Sequence, residues 1–174
     1  MIILDEAYIA FTEKAWKSID LLKYDNLVIL RSMTKDYALA GLRLGYLLSS
    51  PSIISILKKV KPPWNVSSAA HKAGILSLHS DDYIQRCEQR IQKAKRYLVQ
   101  QLANLGLKPI PSYTNFFLVK VRNASQLTLK LLKRGILVRD CTSFGLPDYI
   151  RIAPRKLQEC RRLISAIKDI NNAC

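Results

Sequence analysis

The chain has 174 residues, 49% of them apolar, and 28 Lys and Arg against 13 Asp and Glu, for a formal charge of +15. That composition suits a globular domain, or part of a larger one, with enough apolar side chains for a packed core. Neither a membrane span nor export is indicated, since no run of about 18 apolar residues exists and acidic Asp5 and Glu6 stand where a signal peptide would need basic residues before an apolar stretch, so a cytoplasmic location is expected.

Ile2-Ile3-Leu4 is a short apolar run ending in Asp5, which predicts a parallel strand buried on both faces with a polar residue at its C-terminal tip. Leu27 to Leu30 and Leu44 to Leu48 predict two more strands. A strand of central type at residue 2 implies partners before it, so the chain reads as truncated at its N-terminus or as one part of a split gene.

After Pro51 the pattern turns helical through Ile53, Ile54, Ile56 and Leu57, and Lys61-Pro62-Pro63-Trp64 breaks it. Ser67 or Ser68 is the expected cap of the next helix, which runs towards Ser80. Asp81 or Asp82 then opens a long one, in which Ile84, Cys87, Ile91, Ala94, Leu98, Leu102 and Leu105 recur at three- and four-residue steps until Gly106 ends it.

Beyond it the segments shorten. A strand is expected from Asn115 to Val121, a helix from Gln126 to Lys133, strands from Ile136 to Val138 and from Tyr149 to Ala153, and a closing helix from Leu157 to Ile170. The order implies an α/β chain in two parts, 1–80 and 81–174, the second a smaller lobe entered through the long helix. Cys87, Cys141, Cys160 and Cys174 lack the spacing that gathers thiolates around a metal, so no metal site is expected. Basic residues are dispersed along amphipathic helices and not clustered with stacking aromatics, which disfavours nucleic acid as a partner. The charge is read as a solvated surface that also attracts anionic ligands.

Three groups stand in order: Asp5-Glu6-Ala7-Tyr8 at a strand tip, Ser32-Met33-Thr34-Lys35 after a second strand and, seven residues on, Arg43-Leu44-Gly45-Tyr46 leading into a third. Strand ends are where open α/β sheets collect ligand groups. Alone, each piece is a turn, a surface lysine or a packing glycine. Together they resemble the fold-type I pyridoxal-phosphate (PLP) enzymes of aminotransferase classes I and II, over nearly the whole chain.

The resemblance implies the C-terminal part of that fold: residues 1–80 as the end of the PLP-binding large domain, with part of a mainly parallel sheet, and 81–174 as the connecting helix and small α/β domain. It implies PLP as cofactor and a homodimer as the assembly. Asp5 takes the place of the carboxylate that keeps the PLP ring nitrogen protonated, as an opposite charge at hydrogen-bond distance does. Tyr8 matches the tyrosine that hydrogen-bonds the ring's phenolic oxygen. Lys35 matches the lysine that holds the cofactor as an imine, for which its amine must be unprotonated.

Ser32 and Arg43 match the ligands of the cofactor phosphate, a doubly charged group that calls for hydroxyls and a fixed guanidinium, and Thr34 stands where a third hydroxyl is sometimes used. Gly41 and Gly45 permit either close backbone approach around Arg43 or plain packing. Arg151, in Tyr149-Ile150-Arg151-Ile152, corresponds to the arginine that grips the substrate carboxylate. Arg139 corresponds to a second anion contact. Asn115 is either a substrate contact or a strand cap.

Within the family the chain resembles two groups that act on phosphorylated amino compounds, threonine-phosphate decarboxylases and histidinol-phosphate aminotransferases. Pro63-Trp64-Asn65-Val66, the run Ile136 to Cys141 with the short Phe144-Gly145-Leu146 loop, and Arg151-Ile152-Ala153 followed by Arg155 favour the decarboxylase. An inactive fragment is the reading from another class, because the relatives' N-terminal half supplies further cofactor contacts.

Overall fold

The computed structural model describes residues 1–12 and 15–172. The chain divides into two compact units, Met1–Arg86 and Cys87–Cys174. In the first, strands β1 (Ile2–Asp5), β2 (Leu27–Ser32) and β3 (Gly45–Ser49) form one sheet in that order. β2 runs parallel to β1 and antiparallel to β3. The single-turn helix α1 (Met33–Asp36) follows β2 directly, and α2 (Pro51–Val60) and α3 (Ser68–Leu78) follow β3.

Local signals account for these elements. Pro51 occupies the first turn of α2, where its missing N–H costs nothing. The Ser67 hydroxyl caps α3 by accepting the Ala70 N–H at 3.2 Å. Leu27, Val28, Ile29, Met33, Phe11 and Ala70 form the buried apolar centre of this unit. One expectation fails: β1 is not buried on both faces, since Ile2 and Ile3 are 54% and 57% exposed. Among the described strands β1 has only β2 beside it, so its apolar side chains lack a covering layer.

Helix α4 (Asp81–Asn104) runs across the division. Gly106, at φ +75°, terminates it with paired bonds from its own N–H to Ala103 O (2.9 Å) and from Leu107 N–H to Leu102 O (3.0 Å), which satisfies two carbonyls a helix end leaves open. The second unit continues with β4 (Lys108–Pro109), β5 (Phe117–Lys120), α5 (Ala124–Leu132), β6 (Arg139–Asp140), β7 (Tyr149–Ile152) and α6 (Leu157–Asn172). Its sheet has the order β4-β5-β7-β6, antiparallel throughout.

Phe117 and Val119 of β5 and Ile150 and Ile152 of β7 alternate onto the inner face and pack with Leu98 and Leu102 of α4, Leu131 of α5 and Ile167 of α6. The strand expected at Ile136–Val138 is displaced to Arg139–Asp140. Val138 is buried as its apolarity requires, but the ladder bonds to β7 begin only at Arg139, and Ile136 N–H bonds back to Leu131 O at the end of α5. β4 was not foreseen, because two residues carry no periodicity. Among the described residues no helix is long and apolar enough to cross a membrane, and no cluster of His, Cys, Asp and Glu is placed to hold a metal.

Phe117 is 1% exposed at the middle of this core. Its replacement by alanine is expected to destabilise the second unit by about 3–5 kcal/mol, measured by denaturant unfolding. A loss under about 1 kcal/mol would mean that the core closes over the cavity.

Candidate active site

The reversal of β3 gathers the first unit's motifs. Asp5 aligns with Leu30 and Ser32 with Gly45, so the C-terminal tips of β1 and β2 and the entrance to β3 share one end of the sheet. At the β1 tip, Asp5 is exposed and its Oδ1 accepts the Ala7 N–H at 2.9 Å, a local turn that leads to Tyr8. Its neighbour Glu6 points the other way and is buried. Glu6 Oε2 accepts from Arg31 Nε and pairs with Arg31 Nη2, both at 3.1 Å, while Glu6 Oε1 has no hydrogen-bond partner among the described residues. Burial works against the Arg31 cation, but hydrogen bonds and charge interactions with Tyr46 and Glu6 outweigh it and raise the group above its ordinary value. A brace from β1 through β2 to β3 therefore underlies the site.

Ser32 is the N-cap of α1: its hydroxyl accepts the Thr34 N–H at 3.3 Å and lies 2.7 Å from the Thr34 hydroxyl. One turn of helix then carries Lys35 back over the β1 tip, with Nζ 4.6 Å from the centre of the Tyr8 ring, a cation–π contact. Burial raises the carboxyl of the adjacent Asp36, against local backbone hydrogen bonds and the charges of Lys35 and Arg31.

Arg43 is exposed and left-handed at φ +54°, and its guanidinium donates to Ala40 O at 3.1 Å. The two glycines around it differ. A Cβ on Gly45 would lie 2.9 Å from the Arg31 carbonyl oxygen, so the strands approach there as only glycine allows, whereas a Cβ on Gly41 would meet nothing.

The second unit carries Asn115, Arg139 and Arg151. β6 and β7 set Arg139 directly opposite Arg151, and Leu118 of β5 lies opposite Arg151 on the other side, all on the face away from the core. Each guanidinium rests on a phenyl ring, Arg151 at 5.0 Å from the centre of Phe116 and Arg139 at 5.2 Å from that of Phe144. Arg139 Nη2 also donates to Ser143 Oγ at 3.1 Å.

The short turn bearing Ser143 and Phe144 is fixed by Asp140. Its carboxylate accepts from Ser125 Oγ (2.5 Å), Thr142 Oγ1 (2.6 Å) and Thr142 N–H (2.8 Å), and these bonds hold Asp140 below the usual carboxylate range. The Asn115 Oδ1 is buried and has no hydrogen-bond partner among the described residues. Two like charges opposed across a strand pair repel, and a bound anion relieves such a pair.

Sequence reasoning passed over Glu6, Arg31, Phe116 and Lys95. The alternation of a strand tip was a usable signal for Glu6, which must face opposite to Asp5. Lys95 had one too: four residues after Ile91 and three before Leu98, it lies on the apolar stripe of α4.

Residues 1–167 match the family described as aminotransferase class I and II. The chain belongs to that family, whose enzymes depend on PLP. It is 36% identical over 173 residues to the histidinol-phosphate aminotransferase of Methylobacillus flagellatus, covering 98% of this chain and 47% of that protein. The chain thus spans about half the length of the curated relatives it matches. Among solved structures, the histidinol-phosphate aminotransferase of Sinorhizobium meliloti in complex with pyridoxal-5'-phosphate superposes with a TM-score of 0.88 at 28% identity, over 99% of this chain and 49% of that one. The L-threonine-O-3-phosphate decarboxylase of Porphyromonas gingivalis gives a TM-score of 0.88 at 26% identity, over 98% and 55%. The fold is that of the aspartate aminotransferase-like enzymes.

Two outcomes follow from this geometry. Gly45→Ala forces β3 away from the Arg31 carbonyl and should cost about 1–3 kcal/mol, read from thermal unfolding, with Gly41→Ala as the control that changes little. Arg139→Gln removes one of two opposed charges and should leave the ligand-free protein equally stable or about 0.2–1 kcal/mol more so; a clear loss of stability would mean that the pair is already compensated.

Proposed function

We propose that this chain carries the lysine-bearing part of a PLP enzyme that transforms a phosphorylated amino compound, with transamination of histidinol phosphate the first reaction to test. The observation that supports it most is the meeting of a carboxylate, two hydroxyls, a guanidinium and an amine at one sheet end, with Lys35 4.6 Å from the Tyr8 ring. That donor set fits PLP. Ser32, Thr34 and Arg43 offer hydroxyls and a fixed positive charge to its phosphate, and Asp5 offers an exposed carboxylate to its ring nitrogen.

PLP, when bound, supplies an electron sink at the carbon that carries the substrate's amine. The chain's own residues do the rest. Lys35 provides the amine that attaches the cofactor and, once displaced by substrate, a base that moves a proton at the substrate's α carbon. Asp5 holds a proton at the ring nitrogen, and the Tyr8 hydroxyl serves the ring's phenolic oxygen. Arg151, stiffened by Phe116, and Arg139, stiffened by Phe144 and Ser143, orient the substrate through its anionic groups. Asn115, in the turn before β5, adds a polar contact through its amide NH2 donors.

Similarity to histidinol-phosphate aminotransferases over 98% of the chain gives transamination first place. Decarboxylation of threonine phosphate is the second reading. It is favoured by Pro63-Trp64-Asn65-Val66 and by Arg151-Ile152-Ala153, and by likeness to the Porphyromonas decarboxylase. The choice rests on which bond at the α carbon the arginines hold perpendicular to the ring. A homodimer in the cytoplasm, completed by the half of the relatives' length not matched here, belongs to the same proposal.

Addition of PLP to the purified chain should produce the absorbance of lysine-bound PLP, expected near roughly 410 to 430 nm, and Lys35→Ala should abolish it. Absence of the band, both alone and after the upstream half is supplied, would leave an inactive fragment as the correct reading. With the band present, amino transfer from histidinol phosphate against carbon dioxide release from threonine phosphate separates the two reactions.

A further inference from the structure

Among the described residues Lys95 is the one buried lysine, 7% exposed in the middle of α4. Taking an ammonium out of water is costly unless hydrogen bonds replace the hydration it loses, and a methionine of similar reach would pack against the same wall without that cost. What the ammonium adds is direction. Its Nζ donates to Ser112 O at 2.5 Å and to Thr114 O at 2.8 Å, drawing two carbonyls of the turn before β5 onto α4.

That turn is wired to the next residues. Ser112 Oγ accepts the Thr114 N–H at 3.2 Å and donates to Phe116 O at 2.6 Å, and Thr114 Oγ1 donates to the same Phe116 carbonyl at 3.2 Å. Asn115 lies between them, and the Phe116 ring carries the Arg151 guanidinium at 5.0 Å.

We infer that Lys95 is a positioning residue for the substrate-anion site: it fixes the 112–116 turn, so that Phe116 holds Arg151. Its value for binding rests on the proposed role of Arg151, but the mechanical link does not. Without the two carbonyl bonds the turn keeps its internal hydrogen bonds but loses its anchor on α4, and the ring beneath Arg151 moves with it.

The test is NMR of the 174-residue chain, reading the Arg151 Nε–Hε resonance, which the Phe116 ring current displaces. Phe116→Leu defines the position of an unstacked guanidinium. Lys95→Met should move the Arg151 signal most of the way to that reference while the amides of Ile150, Ile152 and Phe117 report an intact sheet, and Lys95→Arg should restore it in part. Should Lys95→Met fail to fold, Ser112→Ala leaves the Lys95 bonds in place, removes the Ser112 Oγ bonds that carry the turn's position to Phe116, and should displace the signal in the same direction. An Arg151 signal unchanged in whichever of the two variants folds overturns the inference.

A titration with histidinol phosphate, followed on the same signal, tests the underlying reading separately. If Arg151 binds the substrate anion, the ligand shifts the wild-type resonance, and Lys95→Met needs about tenfold more ligand, equal to about 1.4 kcal/mol. A wild-type signal unmoved by the ligand counts against the proposed role of Arg151, and the ring-current comparison still decides the link.

Discussion

β2 pairs parallel to one neighbour and antiparallel to the other, and the candidate site of the first unit depends on that change of direction. Had β3 run parallel, the Arg43-Leu44-Gly45-Tyr46 segment would enter the sheet at the opposite end, a strand's length from Asp5 and Ser32. The antiparallel return brings it back within reach of both. Close pairing requires Gly45, where any Cβ would press on the Arg31 carbonyl, and the Glu6–Arg31 bridge ties the first strand to the second beneath the exposed Asp5. Packing and chemistry are divided between adjacent residues, with Glu6 turned inward and Asp5 outward by the two-residue alternation of a strand.

The second unit solves a different problem. It holds guanidinium groups on an exposed sheet face, where long side chains would ordinarily lose their orientation to rotamer freedom. Phenyl rings limit that freedom from below, and short hydroxyl side chains limit it from the side. Asp140 and Lys95 act one step further back, each fixing a turn that fixes a ring. Rigidity reaches the arginines through main-chain turns, so the residues that confer it carry none of the chemistry themselves.

The proposed cofactor residues were legible in the sequence as a pattern because a charged, phosphate-bearing cofactor admits few side-chain types, and Asp5, Ser32, Lys35 and Arg43 stood in that order. The long helix was legible from its three- and four-residue steps. Less legible were features set by partners far away in the chain. Ile136 to Val138 has the apolarity of a strand, but which residues enter the ladder is decided by β7, and those are Arg139 and Asp140. The apolarity of β1 promised burial, which needs layers on both faces that the described strands do not supply. Lys95 sits on the apolar stripe of a basic helix, but what holds it there, the 112 and 114 carbonyls, comes from a turn that the helical pattern does not reveal.

Arg43 sits at φ +54°, a backbone state that glycine adopts without strain. Any screen that ranks variants by thermal tolerance alone would favour glycine there, and so would random drift in a lineage no longer selected for activity. If Arg43 holds the cofactor phosphate as proposed, ligand contact there outweighs local backbone comfort, and its replacement by glycine in a homologue of otherwise identical fold would be an early sign that cofactor binding had been given up.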